Sequence, residues 1–164
     1  MKPNGAPETA KPDCTGRRFA IVSARFYPDI ADSLVDGARR ALRDCGVSDD
    51  NVSLFEVPGC FELPLACLNL IETDRFDGLV ALGAVVRGET PHFDFVAGEC
   101  ARGIMDVQLT SAVPIGFGVL TTDTLLQAEE RASPNGGNKG YSAGLAAASL
   151  LTLTVGMPRA GFRS

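Results

Sequence analysis

The only histidine of the chain, His92, lies in a short segment that combines several groups able to do chemistry. An apolar run over 79–86 predicts a buried strand, and the charged turn 87–89 that ends it contains a glycine able to adopt positive φ. Thr90 and Pro91 then predict the N-cap and the first position of a helix. His92 is therefore expected in a first helical turn, where free backbone N–H groups and the helix dipole favour an anion. The segment predicts a ligand site with an imidazole available for proton transfer.

Composition limits the classes of protein to consider. A chain of 164 residues with 45% hydrophobic content suits one domain with a sizeable core. The formal charge of -5, without a block rich in Lys and Arg, argues against nucleic-acid binding. Residues 1–13 have no apolar core of a signal peptide, and 143–157 is too short and too rich in Ser and Thr to span a membrane. We expect a soluble cytoplasmic protein that binds neither nucleic acid nor membrane.

The five cysteines form no C-x-x-C pair. Their number is odd, and their spacing gives little support to a metal site, so most are expected to be reduced and buried. Cys60 is the exception, because it could pair with His92 as the thiol nucleophile of a hydrolase. That alternative requires a third orienting group, which the sequence does not single out.

Strand patterns alternate with helix patterns along the chain. The pattern predicts strands at 18–26, 52–57, 78–86 and 114–120. Helices are predicted from Asp29 to Gly46, at 62–71, at 91–109, from the capping residues 121–124 to Arg131, and onward from Asn138. Residues 1–16 are expected to form a flexible arm, 17–157 a single domain and 158–164 a frayed tail. Such alternation predicts an α/β domain with a parallel sheet covered by helices on both faces.

Ligands in such folds bind beyond the carboxyl ends of the strands. This rule brings together the loops 26–28, 58–62, 87–92 and 120–122, to which Arg131 and 138–140 could add two cations. Aromatic rings, a carboxylate, an imidazole and glycine-rich backbone predict a pocket for a flat polar heterocycle and an anion, most naturally phosphate. The phosphate-binding loop motif is absent, and 116–118 lacks the third glycine of a dinucleotide fingerprint.

Each candidate residue also has a structural explanation. His92 could be a partly buried histidine without a ligand, and Arg87 could pair with Glu89 or Glu62. Phe26 and Phe117 fit a hydrophobic core equally well from pattern alone. Arg131 and Lys139 could be surface charges, and Glu62 could be a carboxylate favoured by a helix N-terminus.

Four blocks of sequence, taken together, resemble one known family. VPGCFELPLA (57–66), ALGAVVRGETPHFDFVA (81–97), PIGFGVLTTDTLLQAEERA (114–132) and GNKGYSAGLAAA (137–148) resemble 6,7-dimethyl-8-ribityllumazine synthase. The resemblance implies a transferase of riboflavin biosynthesis that condenses 5-amino-6-(D-ribitylamino)uracil with 3,4-dihydroxy-2-butanone 4-phosphate, releasing phosphate and water. It implies no metal or organic cofactor. The implied fold is a three-layer α/β/α domain with a four-stranded parallel sheet in flavodoxin-like order.

The resemblance also implies roles for individual residues. Phe26 would stack on the pyrimidine, Glu62 would accept hydrogen bonds from the ribityl hydroxyls, and His92 would move protons. The turn formed by Gly59, Cys60, Phe61 and Glu62 would hold the ribityl chain, and the backbone of Val85 and Val86 would read the pyrimidine edge. The phosphate would be held by Gly88, Glu89, Thr90 and Arg131. Phe117 and Lys139 would arrive from a neighbouring subunit of a pentamer, and a 60-subunit shell of such pentamers is left open.

Two residues depart from the family pattern. Tyr27 stands where many members carry Asn or His, which leaves open a relative that binds a flavin-like ligand without catalysis. Cys60 replaces a usual Ala or Ser, and its similar size predicts that it fits the turn without acting as a nucleophile.

Overall fold

The computed structural model describes residues 10–158, which form four strands and five α-helices. The strands are β1 (Phe19–Ala24), β2 (Val52–Val57), β3 (Gly78–Val86) and β4 (Ile115–Thr122). The helices are α1 (Pro28–Asp44), α2 (Leu63–Glu72), α3 (His92–Ser111), α4 (Leu125–Ala132) and α5 (Lys139–Thr152). Short 3₁₀ turns at Asp49–Asn51 and Cys60–Glu62 precede β2 and α2.

The four strands form one parallel sheet in the order β2-β1-β3-β4. In the centre of the sheet Ile21 lies opposite Leu54 on one side and Val80 on the other. The chain crosses from β1 to β2 in one direction and continues from β3 to β4 in the other, which creates a switch point between β1 and β3. The predicted parallel α/β sheet with flavodoxin-like order is confirmed.

Helices cover both faces of the sheet. One buried cluster joins the sheet to α1, α4 and α5, and a second cluster joins the opposite face to α2 and α3. Every residue of β3 from Gly78 to Val85 is buried, because this central strand has a covered face on each side. That placement explains why 78–86 is a continuous apolar run rather than an alternating one.

Some boundaries differ from the predicted ones. β4 continues to Thr122 instead of ending at Leu120, because β3 extends to Val86 and pairs with it to that point. α3 begins at His92 with Pro91 as N-cap, one residue later than predicted. The Thr90 hydroxyl still accepts a hydrogen bond from the His92 N–H, at 3.4 Å. However, the Asp94 N–H bonds to the Pro91 carbonyl three residues back, so the entry turn is of the 3₁₀ type.

The N-terminal boundary of the packed domain includes part of the expected arm. The side chain of Cys14 is fully buried, and its N–H donates to the Cys45 carbonyl at 2.7 Å. Residues 1–9 of the predicted arm and residues 159–164 of the predicted tail lie outside the described range.

Candidate active site

A cleft of about 580 Å³ opens at the carboxyl ends of β1 and β3, next to the switch point. We call it the main cleft. It is lined by the candidate residues Phe26, Gly59, Cys60, Phe61, Glu62, Val85, Val86, Gly88, Thr90 and His92, together with Tyr27, Pro58, Ala84, Phe93, Phe95 and Val96. Three separate loops therefore bring most of the predicted site together. Glu89 is exposed and is not among the lining residues.

The aromatic wall of the main cleft begins where β1 ends. Phe26 leaves 72% of its surface exposed, and the Tyr27 ring meets it edge-on, with centroids 5.0 Å apart and planes at 72°. Tyr27 itself packs against the core beneath α1. An exposed ring held by a fixed neighbour is suited to stacking on a flat ligand.

The turn after β2 supplies the carboxylate of the main cleft. The Glu62 N–H donates to the Gly59 carbonyl at 3.3 Å and closes the 3₁₀ turn. Glu62 is exposed at the N-terminal end of α2, and a Cβ placed on Gly59 would lie 3.6 Å from its Oε2. The carboxylate lies beside the Gly59 backbone. It can accept hydrogen bonds from the hydroxyls of a ligand, and backbone N–H and C=O groups can donate to or accept from the same hydroxyls.

The environment of Cys60 does not favour a nucleophile. Only 4% of this residue is exposed, although it lines the main cleft. A hydrogen bond with Cys100 and then burial raise the pKa of the Cys60 thiol far above its usual value. Because the thiolate is the reactive form, the thiol is inert at neutral pH. Cys60 is therefore unsuited to be the nucleophile that the hydrolase alternative requires.

Phe117, Arg131 and Lys139 line a different depression, which lies along the edge strand β4 and beside α5. We call this depression, of about 430 Å³, the second cleft. The Phe117 ring is 45% exposed. Arg131 donates only to the carbonyl of Gln127, at 3.1 Å, and neither cation forms an ion pair with any residue in 10–158. The second cleft therefore offers a ring and two cations whose charge is not matched.

Arg131 thus lies with Phe117 and Lys139, and not in the main cleft with the turn 88–90 of the same chain. The sequence grouped Arg131 with that turn because both were expected at one edge of the sheet. The lining of the main cleft contains no lysine or arginine.

Phe93, Phe95 and Val96 are main-cleft residues that the sequence reasoning did not select. Phe95 and Val96 follow His92 at spacings of three and four, so all three lie on one face of α3. This spacing is visible in the sequence, but it is equally typical of a helix face that packs in the hydrophobic core. It therefore did not predict that these residues line a cleft.

Arg87 pairs with neither of the carboxylates that the sequence suggested. Its guanidinium contacts Asp123 and Asp94 instead, since its side chain leaves β3 toward the turn after β4.

Within residues 10–158, no three side chains of His, Cys, Asp or Glu are grouped as a metal site would require. The described helices include none with the length and apolar character needed to cross a membrane.

The fold and the cleft define a parallel α/β protein with a candidate ligand site at the switch point of its sheet. Residues 16–154 match the family model described as 6,7-dimethyl-8-ribityllumazine synthase. The chain belongs to this family.

Curated relatives of the same name are similar over most of their length. The protein from Campylobacter lari is 50% identical over 136 residues, which cover 83% of this chain and 87% of the relative. The protein from Lawsonia intracellularis is 48% identical over 134 residues, or 82% and 85% of the two chains. That from Nitratidesulfovibrio vulgaris is 48% identical over 143 residues, or 87% and 90%.

Proposed function

We propose that this protein condenses 5-amino-6-(D-ribitylamino)uracil with 3,4-dihydroxy-2-butanone 4-phosphate to give 6,7-dimethyl-8-ribityllumazine, phosphate and water. The observation that carries the proposal is the family match over residues 16–154, which spans both clefts. The main cleft supports it independently, because it combines an exposed ring, a carboxylate and an imidazole.

The main cleft would hold the ribitylaminouracil. Phe26 stacks on the pyrimidine, the backbone of Val85 and Val86 reads its edge, and Glu62 accepts hydrogen bonds from the ribityl hydroxyls. Imine formation, loss of phosphate and ring closure each move a proton near neutral pH, which suits the imidazole of His92. Much of the acceleration comes from aligning the two substrates.

The phosphate of the second substrate requires cations that the main cleft lacks. A phosphate monoester carries a charge of about -1.5 to -2 at neutral pH, whereas the main-cleft lining contributes only the Gly88 backbone and the Thr90 hydroxyl at that end. The second cleft has the opposite composition, with two unmatched cations beside a ring. A complete site forms when the second cleft of one copy faces the main cleft of another. Arg131 then binds the phosphate through two parallel hydrogen bonds, and Phe117 and Lys139 close the site.

Exposed apolar side chains support this self-association. Phe61, Leu65 and Phe95 are 64%, 62% and 67% exposed beside the main cleft and along α2 and α3. Leu109, at the far end of α3, is 73% exposed. Apolar surface of this extent marks a face that is covered in an assembly. Pentamers are the assembly we propose, and a 60-subunit shell of pentamers is the alternative that a native mass measurement distinguishes.

The five cysteines, all free and buried, are consistent with a reducing compartment such as the cytoplasm.

The activity is tested by mixing purified protein with both substrates and following the fluorescence of the lumazine product. We expect His92→Ala to lower kcat by at least about tenfold. Arg131→Ala should chiefly raise KM for the phosphorylated substrate, and Lys11→Ala serves as a control at an exposed cation outside both clefts. Tight binding of lumazine without turnover would show a relative that has lost catalysis.

The shared site is tested by co-assembling two impaired variants and assaying them at a concentration of the phosphorylated substrate far below the KM of Arg131→Ala, where each variant alone is nearly inactive. If main and second clefts come from different copies, a mixture of His92→Ala and Arg131→Ala chains regains about a quarter of the wild-type sites, because chance pairs an intact half from each variant. A double variant mixed with either single variant regains none. The absence of recovery from co-expressed, co-assembled chains would place both halves in one chain.

A further inference from the structure

Arg87 stands at the end of β3 and contacts three residues on two different elements. Its Nε lies 2.9 Å from Oδ1 of Asp123, and its Nη1 lies 3.5 Å from Oδ1 of Asp94. The guanidinium carbon lies 4.4 Å from the centroid of the Phe93 ring, within the range of a cation–π contact. Asp123 belongs to the turn between β4 and α4, whereas Phe93 and Asp94 belong to the first turn of α3.

The base of the Arg87 side chain is fixed by the sheet. The Arg87 N–H donates to the Thr122 carbonyl at 2.8 Å and extends the ladder between β3 and β4 by one bond. The turn that follows is weakly held, since Gly88, Glu89 and Thr90 are all exposed and a Cβ at Gly88 would meet no atom within 4 Å. The side chain of Arg87 therefore ties a rigid strand to the helical turn that begins with His92.

Arg87 lies on the other side of Phe93 from the main cleft. It lines a separate groove with Thr121, Asp123, Gln127 and Arg131, and it is absent from the lining of the main cleft. Phe93 lines both depressions and forms the wall between them. Two carboxylates already match the charge of Arg87, so it is poorly suited to bind the phosphate itself.

We infer that Arg87 is a positioning residue for the reaction, which holds His92 in place through Asp94, Phe93 and Asp123. The inference rests on the proposed role of His92. Each exposed ion pair alone stabilises the fold little, so the effect of Arg87 lies in geometry rather than stability. A misplacement of about 1 Å can cost about a hundredfold in rate where alignment dominates.

The test compares Arg87→Gln with Arg102→Gln. Arg102 lies on α3, the helix that contains His92. Like Arg87 it is exposed and pairs with two carboxylates, Glu99 at 2.6 Å and Asp106 at 2.8 Å. We expect Arg87→Gln to lower kcat on the order of tenfold, with KM for both substrates changed by less than about threefold. Arg102→Gln should leave both constants unchanged. A loss confined to KM for the phosphorylated substrate would make Arg87 a direct ligand and overturn the inference.

Two further variants test whether Arg87 acts through its contacts with carboxylates. Arg87→Lys can pair with one carboxylate but lacks the planar fork, so it should recover part of kcat. The double variant Arg87→Gln with Asp123→Asn should have the same kcat as Arg87→Gln alone, because each change removes the same contact between Arg87 and Asp123. Fully multiplicative losses would contradict an action through Asp123.

A second measurement does not depend on activity. His92 is the only histidine, so in protein carrying isotope-labelled histidine the imidazole NMR signal comes from this one ring. Arg87→Gln should shift or broaden that signal, and Arg102→Gln should leave it unchanged. An unchanged signal in Arg87→Gln would overturn the positioning of His92, whereas a shifted signal in a protein without turnover would refute the proposed function alone.

Discussion

Gly37 on α1 and Asn138 at the start of α5 approach so closely that a Cβ on Gly37 would overlap the Asn138 side-chain amide. The buried amide nitrogen of Asn138 donates to the carbonyls of Ser33, at 2.8 Å, and Ala132, at 2.9 Å. Its oxygen accepts from the Tyr141 N–H at 3.2 Å. The Asn138 side chain therefore joins α1, the end of α4 and the start of α5. It links the helix that carries Arg131 to the helix that begins with Lys139.

We expect Gly37→Ala to lower the free energy of unfolding by about 1–3 kcal/mol, because the added methyl group displaces the Asn138 amide. Asn138→Ala should cost a similar amount, since two carbonyls lose their donor. In the Asn138→Ala background the methyl group has room, so Gly37→Ala should cost less there. Urea unfolding measures all three variants. Gly98→Ala, where a Cβ meets no atom within 4 Å, is the control, and an equal cost of Gly37→Ala in both backgrounds would contradict the contact.

Gly83 in β3 and Cys60 form a second close contact. A Cβ on Gly83 would lie 2.6 Å from the Cys60 sulfur and 3.0 Å from the Ala24 Cβ. We expect Gly83→Ala to overpack this contact, which destabilises the fold by about 1–3 kcal/mol and lowers the melting temperature. In the double variant, Cys60→Ala should restore part of that loss. Thermal unfolding of the four proteins measures the coupling. Strictly additive changes would show that the sulfur does not set the available space.

Catalysis should not depend on the Cys60 sulfur. Because a hydrogen bond with Cys100 and burial raise the pKa of this thiol, it remains protonated and unreactive at neutral pH. Cys60→Ala should therefore keep kcat within about threefold of wild type, and iodoacetamide should label the folded protein slowly. Mass spectrometry identifies any labelled cysteine. Rapid labelling of Cys60 together with loss of turnover would restore the nucleophile hypothesis.

The hydroxyl of Tyr141 donates to Oδ2 of Asp44 at 2.6 Å, joining α5 to α1. This hydrogen bond and then burial raise the pKa of Tyr141 to about 12. The stabilisation is fully present below the unfolded pKa of about 10 and is lost as the pH rises through about 12. Tyr141→Phe should cost roughly 1 kcal/mol at neutral pH.

The difference in unfolding free energy between wild type and Tyr141→Phe should shrink between pH 10 and 12. Asp44→Asn removes the charged acceptor and should weaken the same pH dependence. A difference that stays constant across this range would assign the effect to packing alone.

Local pattern was sufficient for most of the architecture. The strands 52–57 and 78–86 were predicted to the residue, and Asn138 was predicted to open the last helix. These signals depend on near neighbours in sequence, because hydrophobic patterning and helix capping act within a few residues. The end of β4 was misjudged because Thr122 belongs to the strand only through its pairing with Val86.

The sequence by itself determined that His92 lies in the first turn of a helix that follows a buried strand, because strand, turn and helix start are encoded in consecutive residues. Only the tertiary structure decided which candidates share a cleft. Arg131 lines a groove with Thr121 and Thr122 near the carboxyl end of β4, and Phe117 pairs with Ala81 further back along the strand. Neither residue lines the cleft that contains His92. Which cleft a side chain lines, and which carboxylates pair with Arg87, depend on how elements distant in sequence pack together. The spacing of residues along the chain does not encode that packing.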